Sequence, residues 1–108
     1  MVIEKVVESL IAKDFKGFSN CFTADAQIDD ICLEYVGKPN WCTCGKCAIE
    51  MFYHNKFVLG GFSAREGAVV NESKATIITN YRGKDVVAKI RISLNDNGLI
   101  DKMIIKPA

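Results

Sequence analysis

The stretch DFKGFSNCFTADAQIDD, residues 14–30, decides the fold of this chain. Its three phenylalanines repeat at helical spacing and predict a short helix: Phe15, Phe18 and Phe22. Residues 23–26 predict a turn, because Thr and Asp side chains bond to the nearby backbone in competition with a helix. The alternating residues 27–32 then predict a strand with Asp29 and Asp30 on opposite faces. Two adjacent acids are unfavourable in a strand, so we expect a special position for at least one.

Helices flank this stretch, and strands joined by short turns follow. Residues 2–12 carry apolar side chains at helical spacing and predict a first helix, and residues 46–56 predict a third. Alternating patterns then predict four strands, over residues 62–70, 74–81, 85–94 and 99–106. Residues 33–41 contain glycine and proline and predict a loop or an irregular edge strand. The predicted order is ααβαββββ, an α+β fold in which the helices cover one face of a curved sheet.

Composition excludes several classes of protein. The chain has 108 residues and 49% hydrophobic content, which predicts one globular domain over residues 1–108. A net charge of +1 gives no overall electrostatic reason to expect nucleic acid or a membrane surface as a partner. The sequence contains neither a membrane-spanning run nor an export signal, so we expect a cytoplasmic protein. We expect no bound cofactor.

The five cysteines have two interpretations. An odd number without an export signal argues against a disulfide framework and favours reduced thiols. Cys42, Cys44 and Cys47 alternatively form a set of metal ligands for zinc or part of an iron–sulfur cluster. A fourth ligand would then come from elsewhere in the chain: Cys21, Cys32 or His54. The set contains one Cys-x-x-Cys rather than the two that are typical of zinc ribbons. Because the cysteine count is odd and we expect a cytoplasmic protein, we predict reduced, metal-free cysteines.

The predicted elements and two short motifs resemble the nuclear transport factor 2-like superfamily. The motifs are FTADA at residues 22–26 and GKCAI at residues 45–49, where the third helix opens. The resemblance is closest to the ketosteroid isomerase and SnoaL polyketide cyclase-like branch. It implies a cone-shaped, mainly antiparallel mixed sheet wrapped around N-terminal helices, also known as the cystatin-like roll.

The resemblance also implies a candidate site. The general base of ketosteroid isomerase-like proteins matches Asp30, and a supporting tyrosine matches Tyr53. The two positions that match the oxyanion hole of that family carry Val6 and Ile90, which donate no hydrogen bond. We therefore do not expect ketosteroid isomerisation by the familiar mechanism. If the fold is the cone, Asp30 lies in the pocket among apolar side chains, and we expect Asp30→Asn to be tolerated or slightly stabilising while it abolishes any proton-transfer activity.

The interior of such a cone predicts a pocket for a small hydrophobic or amphipathic molecule. We expect seven residues to line it: Val6, Leu10, Phe18, Ile28, Cys32, Trp41 and Ile90. Three functions remain open: an isomerase, dehydratase or cyclase with Asp30 as base, a non-catalytic ligand-binding or interaction module, and a metal- or redox-responsive thiol protein.

The back of the sheet also has two interpretations. Lys89 and Arg91, with Lys74 and Arg82 nearby, suggest a phosphate-binding patch. The near-neutral total charge instead favours a solvated or subunit-facing surface. The family resemblance implies that two copies pair through this outer face, so we expect a homodimer.

Overall fold

The structure is a computed structural model that describes residues 1–32, 37 and 41–108. Three helices and six strands follow in the order α1 (Val2–Ala12), α2 (Phe15–Ser19), β1 (Phe22–Asp30), β2 (Trp41–Cys44), α3 (Lys46–Val58), β3 (Phe62–Asn71), β4 (Lys74–Tyr81), β5 (Lys84–Leu94) and β6 (Ile100–Pro107). The predicted α+β class is confirmed. The predicted loop or irregular edge strand over residues 33–41 lies outside the described residues, apart from Gly37 and Trp41.

The six strands form one sheet in the order β2-β1-β6-β5-β4-β3. All neighbouring strands are antiparallel except β1 and β6, which are parallel. Helix α1 contacts β3 and β4, whereas α3 contacts β1, β2 and β3. The helices thus cover the face of the sheet that carries the buried apolar residues. No helix in the described parts of the chain is long and apolar enough to span a bilayer.

Helix α1 forms because its apolar residues lie on one side. Ile3, Val6 and Leu10 on that side are at most 3% exposed. The helix ends at Lys13, whose backbone is left-handed with a φ of 57°. Asp14 then caps α2, since its carboxylate accepts a hydrogen bond of 2.9 Å from the backbone N–H of Gly17.

Strand β1 begins earlier than the sequence predicts. Residues 23–26 are part of this strand, so the predicted turn is wrong, and Phe22 belongs to β1 rather than to α2. The reason is long-range, because β1 pairs with β6 from Phe22, opposite Ile100, to Asp30, opposite Ile105. The register of the β1–β6 pairing shifts between Phe22 and Gln27, because the residues between them form a bulge.

Strand β2 begins at Trp41, where the predicted loop or irregular edge strand ends, and its other residues were not predicted as a strand. Residues 41–44 pair with β1, with Thr43 opposite Ile28, and form one edge of the sheet. The observed order is therefore ααββαββββ. A four-residue edge strand is too short to show a clear alternating pattern in the sequence. Gly45 follows directly and is the N-cap of α3.

A bulge in β3 brings this strand close to α1. Glu66 has a φ of 53°, and the pairing of β3 with β4 shifts register between Arg65 and Ala68. Gly67 follows, and a Cβ atom at this position would collide with the side chain of Val7. The absence of a side chain at Gly67 therefore permits close contact between helix and sheet.

Candidate functional site

Asp30 is the last residue of β1, and it is only 1% exposed. Its Oδ1 atom accepts a hydrogen bond of 3.0 Å from the backbone N–H of Cys32. Its Oδ2 atom accepts a hydrogen bond of 3.2 Å from Lys56 Nζ. Strand alternation places Asp30 inside with Ile28 and leaves Asp29 at the half-buried outer side, as the sequence predicts. Both carboxylate oxygens of Asp30 are thus occupied by donors from the protein.

Lys56, which the sequence analysis missed, completes a buried ion pair. Its side chain is 9% exposed, and Nζ also donates a hydrogen bond of 3.1 Å to the hydroxyl of Tyr81. Four aromatic rings surround the ammonium group at 4.9–5.7 Å from their centroids: Phe52, Tyr53, Phe62 and Tyr81. Such contacts stabilise a cation away from water. Lys56 follows Tyr53 by three residues in α3 and therefore lies on the same side of the helix.

Tyr53 has a hydroxyl group without a partner. The residue is 1% exposed, and no described residue forms a hydrogen bond with its Oη atom. Burial raises the pKa of Tyr53, and the nearby charge of Asp30 raises this pKa further. The phenol therefore keeps its proton and offers an unused donor in the interior. An unpaired buried hydroxyl costs about 1–3 kcal/mol, so its retention calls for an explanation.

The same causes act on two neighbours of Asp30. Burial raises the pKa of Cys32 to about 12, and the charge of Asp30 adds to this increase. Burial likewise raises the pKa of Tyr81, with Asp30 as the second cause. We call the following five residues the interior polar cluster: Asp30, Cys32, Tyr53, Lys56 and Tyr81. Within this cluster, the Asp30–Lys56 pair carries the charges and the thiol and phenols stay neutral.

The residues expected to line a pocket lie in two places. Six belong to the buried core and are at most 3% exposed: Val6, Leu10, Phe18, Ile28, Cys32 and Ile90. Trp41 instead is 45% exposed and stacks on Phe52, with ring centroids 5.2 Å apart. Phe52 in turn contacts Tyr53, whose ring lies 4.4 Å from that of Phe18. A continuous row of aromatic rings therefore leads from the exposed Trp41 to the core.

The cysteine set is exposed and only partly assembled. The Sγ atoms of Cys42 and Cys44 are 3.8 Å apart on the edge strand β2, and Cys47 is exposed in the first turn of α3. No group of three or more His, Cys, Asp or Glu side chains within residues 1–32, 37 and 41–108 is arranged to hold a metal ion. The pKa of Cys42 is raised to about 11. The largest cause is a hydrogen bond between the thiol and Asp29, and the second is partial desolvation of the thiol.

Solved structures of other proteins have the same fold, although the sequence itself matches no known family. No protein-family model and no curated protein matches the sequence. Among solved structures, an orange carotenoid protein binding canthaxanthin from Anabaena (Nostoc) sp. PCC 7120 aligns over 98% of this chain and 35% of its own, with 17% identity and a TM-score of 0.70. The chain thus spans about a third of the length of that protein.

Two similar structures match over most of both chains. A SnoaL-like protein of unknown function from Burkholderia thailandensis aligns over 97% of this chain and 89% of its own, with 11% identity and a TM-score of 0.67. A nuclear transport factor 2-like protein of unknown function from Cytophaga hutchinsonii aligns over 99% and 87%, with 12% identity and a TM-score of 0.67. The chain therefore has the nuclear transport factor 2-like fold that the sequence resemblance predicted.

Proposed function

We propose that the chain is a non-catalytic binding module for a small, largely apolar molecule that carries a hydrogen-bond acceptor such as a carbonyl group. The observation that carries this proposal is the buried Tyr53 hydroxyl, which has no partner among the described residues. An acceptor on the ligand would satisfy this donor, and the row of aromatic rings beside it would contact the apolar part.

The state of Asp30 supports binding over proton transfer. A general base needs an oxygen within hydrogen-bond reach of the substrate proton. Asp30 already accepts hydrogen bonds at both carboxylate oxygens, from the backbone N–H of Cys32 and from Lys56 Nζ, so a substrate proton would have to displace one of these donors. Val6 and Ile90 are buried and apolar, so they donate nothing to a developing oxyanion. An isomerase, dehydratase or cyclase is the alternative function, and it would require the ion pair to open.

One similar structure suggests a ligand to test. The orange carotenoid protein in the comparison binds canthaxanthin, a carotenoid that carries carbonyl groups. The identity of 17% shows the fold and not this ligand, so canthaxanthin serves as a probe of the proposed chemistry. We expect it to bind with a shift of its visible absorption.

The experiment compares two tyrosines. Tyr53→Phe removes the unpaired hydroxyl and should weaken the binding of canthaxanthin by about tenfold, the equivalent of one hydrogen bond. Tyr81→Phe makes the same chemical change to a hydroxyl that already accepts a bond from Lys56, and it should leave the affinity within about twofold. Equal affinities of wild type and Tyr53→Phe would refute the assigned role of this hydroxyl.

We also propose a homodimer through the apolar end of the outer sheet face. Val87 is 51% exposed there and lies opposite the half-buried Ile78. Exposed apolar residues on a sheet face favour association. Val87→Lys should then convert a dimer into a monomer in sedimentation velocity, and a wild type that stays monomeric would contradict the proposal.

A further inference from the structure

Four basic residues lie next to one another on the outer face of the sheet: Lys74, Lys89, Arg91 and Lys106. Strand register places Lys74 directly opposite Arg91, and Lys89 directly opposite Lys106. Lys89 and Arg91 are two residues apart in β5, so they point to the same side. Directly opposed side chains have Cβ atoms roughly 4.5–5.5 Å apart, and like charges at this distance destabilise a sheet. The register therefore assembles these cations at an energetic cost.

The described part of the protein does not compensate these charges. All four side chains are exposed, and none has an ion-pair partner within residues 1–32, 37 and 41–108. The nearest acid along the same row of the sheet is Asp29, which lies 3.7 Å from the ammonium group of a different residue, Lys102. The four cations therefore produce a local positive potential, although the whole chain carries a charge of only +1.

A concave surface accompanies the cluster. A cavity of about 290 Å³ is lined by the four cations together with Val70, Thr76, Ile90 and Ile104. At about 30 Å³ for each water molecule, this volume corresponds to roughly ten waters. A concave site lined with one sign of charge concentrates its field on a bound ion. We call this surface the basic groove.

We propose that the basic groove binds a compact molecule that carries a phosphate group. Arginine recognises phosphate oxygens through two parallel N–H donors, and lysine supplies a point charge. Arg91 and the neighbouring lysines offer both, with the hydroxyl of Thr76 in the same cavity. The bound phosphate relieves the repulsion between the opposed cations. The limited volume favours a small phosphate ester over an extended polymer.

The first experiment titrates the protein with pyrophosphate at low ionic strength in an isothermal calorimeter. We expect saturable binding at one site per chain that weakens as salt is added. The double variant Lys89→Gln/Lys106→Gln should weaken binding at least tenfold. The control Lys13→Gln/Lys16→Gln removes the same charge from exposed positions at the α1–α2 junction and should leave the affinity within about twofold. Equal losses in both double variants, or no saturation in the wild type, would overturn the proposal.

Stability provides a test without any ligand. Because Lys89 and Lys106 repel each other, the double variant should unfold at the same or a higher temperature than wild type at low salt. A lower unfolding temperature would show that these lysines are stabilised within the protein, which contradicts the premise of an uncompensated groove.

A further measurement separates the sources of the phosphate. Vesicles of phosphatidylcholine containing phosphatidic acid are sedimented with the protein. Calorimetric binding of pyrophosphate without co-sedimentation assigns the groove to a soluble phosphate ester, whereas co-sedimentation that the double variant loses assigns it to a lipid headgroup. If a second copy of the chain covers the groove, sedimentation will show a dimer that does not bind pyrophosphate, which overturns the proposal.

Discussion

The ion pair between Asp30 and Lys56 is the most informative feature to perturb. At 3.2 Å and an effective dielectric constant of about 20, the two charges attract each other by roughly 5 kcal/mol. Desolvation offsets much of this attraction, since the two side chains are only 1% and 9% exposed. Removing one partner is a different case, because it leaves the other charge buried and unpaired. Such a change costs about 3–5 kcal/mol.

The two single variants should differ. Lys56→Met leaves the Asp30 carboxylate with the Cys32 N–H as its one described donor, and we expect a loss of about 3–5 kcal/mol in the free energy of unfolding. Asp30→Asn should cost less, about 2 kcal/mol, because the ammonium group of Lys56 keeps its aromatic contacts and its bond to Tyr81. The expectation that Asp30→Asn is tolerated assumed an unpaired carboxylate, and the ion pair reverses it.

The double variant Asp30→Asn/Lys56→Met tests the coupling. With both charges removed, we expect a stability within about 1–2 kcal/mol of wild type, so that the cycle gives a coupling of at least about 3 kcal/mol. Urea unfolding measured by circular dichroism supplies the four free energies. Additive single effects would refute the inference that the two charges depend on each other.

The pH dependence of Lys56→Met provides a second check. A buried, unpaired carboxylate binds a proton more readily in the folded state than in the unfolded state. Lowering the pH then favours the folded state. The stability lost in Lys56→Met should therefore be partly regained between about pH 7 and about pH 5, relative to wild type. A deficit that is constant over this range would contradict this reasoning.

Three further outcomes can be tested. Tyr53→Phe should raise the free energy of unfolding by up to about 1–2 kcal/mol, because it removes an unpaired buried hydroxyl; a clear loss in urea unfolding would show that the hydroxyl has a protein partner. Asp29→Asn should lower the pKa of Cys42 from about 11, because the carboxylate accepts a hydrogen bond from the thiol and repels the thiolate. Cys42 should then react faster with iodoacetamide at about pH 9, as measured by mass spectrometry, while Cys47 stays unchanged; equal rates would refute this. Gly67→Ala should cost about 1–3 kcal/mol, since the added methyl group meets α1; an unchanged unfolding midpoint would show looser packing there.

Local patterns determined how much of the fold was predictable. Helix α1 and strand β4 have the predicted bounds because their apolar periodicity is long and uninterrupted. The start of β1 was missed because it depends on pairing with Ile100, far away in the sequence. Tertiary pairing there outweighs the turn-forming preference of residues 23–26.

The candidate site was predictable only in part, for the same reason. Strand alternation separated Asp30 from Asp29, and the family resemblance singled out Asp30 and Tyr53, both of which are buried. The partner Lys56 was missed because a lysine near a helix end usually faces solvent. The basic groove depends on which residues of β4, β5 and β6 lie opposite one another, and a net charge of +1 conceals this local clustering.

The position of β6 has a consequence for the order of folding. Residues 100–107 are synthesised last among the strands, yet they lie in the middle of the sheet and join β1 to β5. Until they leave the ribosome, the β1–β2 ribbon and the β3–β4–β5 meander have no strand between them. Pairing of the first strand with the last requires closure of most of the chain, which slows folding. We therefore expect the nascent chain to expose two apolar surfaces until residues 100–107 have emerged, which increases its tendency to aggregate during synthesis.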